Sequence, residues 1–484
     1  MKKIQINQNT WIGLFWVGLN FVSKVLFLSK QNVVGDEAFS IFYAQMSIPH
    51  LFGELVKGNN PPLYEIILHG WTFVFGISPM SVRFLSCVFA SITVYIIYQI
   101  GVQFFSKRIG LLAAGFYTLS NFFIFFSHEA RVYALFALLT TWSFLLFFKL
   151  GDGQKNYRRI FLLALVNSLL LYSHYFGTVV IFIQGLAFIL IRGYRILFLK
   201  SYLWSYLITA GFYLPYAGYF LNRLNSVHQD GTWLKPPNGL EPIYALVVKM
   251  SNAPVIAVFF LLILVIALIK TIRSKRLESI SKEQYVIFIW FPVSVLLVFL
   301  FSFVMPLFLN RYLLYSGIGF YFLLAFSIEI WRERSYLRSI LTFLCLGGML
   351  FTIDLNPSNH REVKSMVSYV KELNKESNNI VFMCPDYLHL SYVYHHSRDW
   401  FNRAEDFQND EAFKEVLREE NIFPISSSKG LDFNKIKTFD KVIYIDAAAN
   451  FSYPNNAILP TLEDSLKLIG KNHFETLFDV YVFE

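Results

Sequence analysis

LYEIILHGWTFVFG, residues 63–76, decides the parity of every loop that follows it. A hydrocarbon core of ~30 Å takes about 20 apolar residues per helix. This run has only 14 residues and carries Glu65 and His69, so it reads as an interfacial or re-entrant helix and not a span. Eleven longer apolar runs around it read as spans, near 10–28, 82–105, 109–126, 132–148, 160–174, 176–191, 203–220, 252–270, 285–304, 312–330 and 338–353. With Lys2 and Lys3 inside and strict alternation, the inner segments collect 19 Lys and Arg, in clusters such as Lys107/Arg108, Lys149–Arg159 and Arg332–Arg338. The outer segments hold seven. Positive charge marks the cytoplasmic side. Counting 63–76 as a span would flip each later loop and erase the bias. The expected orientation is therefore a cytoplasmic N-terminus, a retained first anchor and not a cleaved signal, and an external C-terminus.

Composition agrees with a membrane solvent. Of the 484 residues, 55% are apolar and 15% charged, where a soluble domain carries about a quarter charged. Such a chain cannot cover its surface in water, and disorder or a collagen-like repeat is excluded by the same figures. Cys87, Cys345 and Cys384 cannot all pair, which argues against a disulfide framework or a structural zinc site. The net charge of +9 is uneven: residues 1–356 carry +15 and residues 357–484 carry −6. Because the basic residues fall in short clusters between apolar runs, nucleic acid is not an expected partner. Lys24, inside the first span, is expected to snorkel to the headgroups.

Residues 357–484 break from the membrane pattern. REVKSMVSYVKEL reads as a helix, NIVFMC as a strand, EAFKEVLREE as a helix, KVIYIDA as a strand, LEDSLKLIG as a third helix and HFETLFDVYVFE as a closing strand. The expected architecture is a mainly α polytopic bundle, 1–356, including its first outer loop 29–81. A small extracytoplasmic α/β domain, 357–484, follows it.

On this topology GDEAFS (Asp36, Glu37), SHEAR (His128, Glu129, Arg131), SHYFG (His174) and NRY (Asn310, Arg311, Tyr312) all emerge on the outer face. Ionisable groups at the membrane edge are expensive and tend to be functional. Each also has a plainer reading, as a solvated loop acid, a snorkelling arginine or an aromatic-belt histidine. Their convergence on one face is the signal.

GDEAFS (35–40), NNPPLYEIILHGWTFVFGISPMSVRFLS (59–86), FSHEARVYAL, LYSHYFG and NRYLLY, in that order, resemble motifs of the family 39 glycosyltransferases. These are polytopic GT-C enzymes related to protein O-mannosyltransferases and lipid A aminoarabinose transferases. Asn60 stands where relatives often carry His or Lys. The resemblance implies an inverting transferase that takes a sugar from a polyprenyl-phosphate donor and gives it to an acceptor hydroxyl in the cell envelope, at the inner membrane's outer face. The acceptor would be a lipid, glycan or protein. Asp36 matches the catalytic acid position, with Glu37 beside it. Glu129 is a second acidic position, orienting the acceptor or, with Asp36, holding a divalent ion. Arg83, Arg131 and Arg311 are candidates for the lipid phosphate, and His174, Tyr312, Tyr64 and His69 for the substrate pocket. The competing expectation is a transporter or lipid flippase, which would place its ionisable groups at mid-span in repeated halves.

Overall fold

The computed structural model of the protein describes residues 8–484 apart from 59, 152–155, 274–279, 377 and 408, and the backbone alone at 192–199, 230 and 376. Lys2, Lys3, Lys155, Lys275 and Arg276, with the side chains of Arg192 and Arg195, contribute to the predicted charge bias and lie outside the described residues. The chain divides into two compact units. One comprises Met1–Leu26, Leu55–Tyr64 and Arg83–Pro357; the other comprises Phe27–Glu54, Glu65–Val82 and Ser358–Glu484.

In the first unit each predicted span coincides with a helix, from Gln8–Val25 to Ser335–Phe351. Among the described residues, Pro79–Phe104, Tyr133–Leu150, Pro254–Arg273 and Lys282–Phe301 are long and apolar enough to cross a membrane unaided. Lys107–Leu119 and Asn121–Ser127, bent by 60° at Ser120, make a fifth if taken as one span. Gly177–Leu190 and Ser316–Glu329 are apolar but shorter. Ten of the eleven expected spans each match one helix and 109–126 matches the bent pair, while among the described residues length and composition by themselves support four spans, or five with that pair.

Local chemistry places the helix ends. Ser106 caps Lys107–Leu119 by accepting from the Ile109 N–H, and Ser281 and Gln284 form a reciprocal capping box at the start of Lys282–Phe301. The turn into Lys107–Leu119 closes tightly because Gly101 faces Gly110: a Cβ on Gly101 would stand 2.1 Å from the Gly110 Cα. Deeper in, Trp290 stacks on Phe144 at 3.9 Å. Lys24 departs from expectation. It is fully buried, with Nζ 5.2 Å from the Tyr117 ring centre, so it does not snorkel. The aromatic ring supplies the partner that headgroups were expected to provide.

The second unit is built on a five-stranded sheet of β1 (Asn379–Cys384), β2 (Ile422–Pro424), β3 (Lys441–Asp446), β4 (Leu468–Phe474) and β5 (Phe478–Phe483), in the order β2-β1-β3-β5-β4. β1 pairs in parallel with β2 and β3, β5 lies antiparallel to β3, and β4 and β5 form a hairpin. β1 is buried along its whole length, which explains why NIVFMC is a continuous apolar run. The helices Val363–Glu376 and Asp410–Glu419 fall where the periodicity put them.

Two elements differ from expectation. The third helix ends at Ser465, and LIG (468–470) begins β4 instead. β4 is a largely exposed edge strand whose register comes from its hairpin with β5, a pairing that a local pattern does not announce. The three-residue β2 was missed; it too is an edge, where Pro424 is tolerated.

The first outer loop is also placed differently. Residues 29–54 and 65–81 of it group with 358–484, and residues 55–64 group with the bundle. Phe42 stacks on Phe413 at 4.9 Å and meets Phe401 edge-on at 5.3 Å, while the Tyr394 hydroxyl donates to the Ile77 carbonyl at 2.6 Å. Removing 357–484 alone would expose this aromatic seam.

A charged cluster holds the sheet unit together beneath β1. Lys414, nearly buried, contacts Asp386, Asp410 and Glu411 at 3.0–3.1 Å, and His389 Nε2 lies 2.8 Å from Asp410. Burial opposes ionisation of Asp410, but the His389 hydrogen bond and the Lys414 ammonium outweigh it and bring its pKa from 3.8 down to about 2. A carboxyl that titrates lower when folded stabilises the fold fully above its unfolded pKa, and loses that contribution as pH falls through the folded value. The protection of the β1 amides, measured as their exchange relative to the intrinsic rate at each pH, should therefore fall between about pH 4 and pH 2. Lys414→Met should raise exchange at neutral pH and flatten this acid limb. An unchanged limb would mean the cluster does not control the unit's acid stability.

Candidate active site

Asp36 and Glu37 occupy the first turn of the Asp36–Tyr43 helix, where free N–H groups favour negative charge. Gly35 makes the entry: its φ of 59° and ψ of −126° lie in a region essentially reserved for glycine, and its N–H donates to Ser391 Oγ at 2.8 Å. The two acids are treated differently. Asp36 is exposed, whereas Glu37 is 5% exposed and its charge acts on His395. Of the two carboxylates, Asp36 is the one that faces solvent.

The acidic helix is held by the Leu63–Phe75 helix. One turn after Asp36, Ser40 Oγ donates to Glu65 Oε1 at 2.8 Å, and Glu65 is 2% exposed. His69 Nδ1 lies 2.9 Å from the Ala44 carbonyl just past the helix end, and Gln45 Nε2 donates to Thr72 Oγ1 at 3.0 Å. Glu65 was read only as an argument against a span. Its burial under the Asp36 helix gives it a positioning role, and the signal was an acid inside an otherwise apolar run.

In the membrane unit, Ser86 Oγ donates to the Glu129 carbonyl at 2.8 Å and holds the SHEAR turn against the Pro79–Phe104 helix. Arg83 is fully buried and is a charged neighbour of His128. Arg131 is 4% exposed. Neither arginine reaches out to headgroups. His174 stacks on Phe136 at 4.9 Å, with Phe176 and Tyr312 each at 5.4 Å and Tyr133 at 6.3 Å. Its Nδ1 accepts the Phe176 N–H at 3.1 Å, so the neutral ring carries its proton on Nε2. Its charged neighbours are Arg131 and Arg311, and the Arg311 guanidinium lies 5.6 Å from the Tyr312 ring centre.

The structure therefore groups Arg131, His174, Arg311 and Tyr312 in one aromatic-walled cluster, with Arg83 and His128 as a second pair. Tyr64 is fully buried. Two guanidiniums with an Nε2–H donor suit an oxyanion, because guanidinium N–H groups form a fork that matches phosphate oxygens. Phe136, Tyr133 and Tyr315 complete the walls and were not foreseen, since nothing distinguishes them from other aromatics in an apolar helix. Among the described residues, no three His, Cys, Asp or Glu side chains are grouped to hold a metal ion.

Residues 59–216 match the family model of dolichyl-phosphate-mannose-protein mannosyltransferase, in line with the resemblance read from the motifs. No curated protein sequence matches the chain. Among solved structures it is similar to ArnT from Cupriavidus metallidurans in the apo state, with a TM-score of 0.59 and 11% identity over 98% of this chain and 97% of that one. The same protein bound to undecaprenyl phosphate gives 0.58 and 10%, over 98% of each chain. The archaeal oligosaccharyltransferase AglB from Archaeoglobus fulgidus, in complex with an inhibitory peptide and a dolichol-phosphate, gives 0.56 and 10%, over 98% of this chain and 74% of that one. At such identities the likeness establishes the fold: a polytopic membrane bundle of the GT-C type with an appended C-terminal domain.

Proposed function

We propose that the protein is an inverting integral-membrane glycosyltransferase that moves a sugar from a polyprenyl-phosphate donor to an acceptor hydroxyl at the outer face of the cell membrane. The observation that carries this reading is the mannosyltransferase family match over 59–216, which contains the re-entrant segment, SHEAR and SHYFG. That match lies with transferases and offers nothing to a transporter. Solved proteins of the same fold are bound to undecaprenyl phosphate or to a dolichol-phosphate, which supports a donor of that class.

In this reading Asp36 accepts the proton of the acceptor hydroxyl as its oxygen attacks the anomeric carbon. The bond from that carbon to the phosphate oxygen breaks, its electron pair leaves with the polyprenyl phosphate, and Arg131 and Arg311 stabilise the departing charge. A single displacement inverts the anomeric centre. Arg83 adds to the positive field and Glu129 orients the acceptor; Tyr64, His69 and His174 are the further residues proposed for substrate binding. The acceptor is an envelope lipid, glycan or protein.

Nucleotide sugars are cytoplasmic, so an external site requires a lipid-linked donor, and orientation tests the proposal. A reporter fused after Lys275 should be cytoplasmic and one fused after Glu484 external. A cytoplasmic C-terminus would overturn both the topology and the donor class.

A further inference from the structure

The Lys107–Leu119 and Ser335–Phe351 helices run side by side in the same direction. Arg108 Nη2 donates to Thr342 Oγ1 at 3.1 Å near one end, position 115 faces Leu346 midway, and Asn121 Nδ2 donates to the Thr352 carbonyl at 2.8 Å beyond the other end. Along this seam lies an open groove of about 430 Å³, walled by Leu119, Phe343, Leu346, Gly347 and Leu350, with Arg108 as its charged lining residue. Phe343 is 76% exposed and Leu350 58% exposed, so the outer lip presents hydrocarbon to the surroundings.

The charged end carries one net positive charge from two arginines and one glutamate. Arg108 Nε lies 3.4 Å from Glu329 Oε2 and Arg338 Nη1 lies 2.6 Å from Glu329 Oε1, so two guanidiniums share one carboxylate. Both helices begin at this end, and their N-terminal N–H groups add partial positive charge. From Ser339 to Leu350 the groove runs about 17 Å at 1.5 Å per residue, roughly half of a ~30 Å hydrocarbon core. That length fits a chain confined to one leaflet and is short for a polyprenyl tail.

We propose that this groove holds an acyl chain of an anionic phospholipid, with its headgroup phosphate at Arg108 and Arg338. Basic pockets between transmembrane helices on the cytoplasmic side suit such headgroups, and the proposed orientation puts Arg108 on that side. The site rests on the membrane reading of the bundle and is independent of the transfer reaction.

Gly347 gives the test a clean handle. A Cβ there meets nothing within 4 Å, so Gly347→Leu starts from open space on the groove wall and adds bulk to its lining. Full-length protein in detergent would be offered phosphatidylglycerol, phosphatidylcholine or undecaprenyl phosphate, and bound lipid counted by native mass spectrometry. Wild type should prefer phosphatidylglycerol over phosphatidylcholine by roughly tenfold, given the headgroup attraction of two guanidiniums. Gly347→Leu should lose bound lipid whatever its headgroup, with its lipid-free melting temperature not lowered, because leucine favours the helix more than glycine does. Arg108→Gln combined with Arg338→Gln should lose only the discrimination; if that variant fails to fold, the Gly347→Leu comparison still decides. Equal retention of the two phospholipids by wild type, displacement of phosphatidylglycerol by undecaprenyl phosphate, or undiminished binding in Gly347→Leu would each overturn the proposal.

Discussion

Asp36→Asn should lower turnover by about 10²–10⁴, the usual effect of removing a general base, while leaving donor affinity close to wild type. The substitution keeps the side chain's size and its place in the first turn of the Asp36–Tyr43 helix, so the fold is not at stake. It removes the capacity to take the acceptor's proton. The measurement is single-turnover transfer at saturating donor, paired with donor binding by the same preparation. Retention of more than about a tenth of wild-type turnover would fall below the smallest loss expected for a base, and Glu129 would then become the candidate. The buried Glu37 makes a useful control: if Asp36 is the base, Glu37→Gln should act through stability and not through the pH profile of transfer.

Arg311→Ala should show the opposite split. A hydrogen bond to a charged group contributes about 1.5–3 kcal/mol, so losing one contact to the donor phosphate should weaken donor binding by about 10- to 150-fold. Turnover should fall as well, because the same guanidinium faces the charge that grows on the leaving phosphate. Arg311→Lys should recover part of the binding, since it keeps the charge and loses the fork. Arg131→Ala should behave similarly, as both arginines act on His174. Donor affinity unchanged in both alanine variants would remove this cluster from the phosphate site.

The helical bundle was legible because lipid imposes a one-dimensional rule: long apolar runs must be helices. The span ends needed more, and Ser106, Ser281 and the Gly101/Gly110 contact supply it. Order along the chain was also sufficient to pick out SHEAR, SHYFG and NRY. What grouped Arg131, His174 and Arg311 is packing around Phe136, and an apolar helix gives no sign of which phenylalanine will sit beneath a histidine. The same limit hid the partnership of the first outer loop with the C-terminal sheet. Gly35 to Ser391 and Phe42 to Phe413 are contacts between segments more than 350 residues apart, set by tertiary structure and not by local pattern. β4 was misread for a related reason, since an exposed edge strand lacks the period-2 signature that burial of one face creates.

The claim at the centre of this account is that a lipid-linked sugar is consumed at the outer face through Asp36. Mass spectrometry of envelope glycans and polyprenyl-linked lipids in a deletion strain, complemented by wild type or by Asp36→Asn, tests it most directly. The account predicts that one sugar disappears from one acceptor, that its polyprenyl-phosphate form accumulates, and that wild type but not Asp36→Asn reverses both changes. An envelope with unchanged glycans and no accumulated lipid-linked sugar, or full restoration by Asp36→Asn, would contradict it.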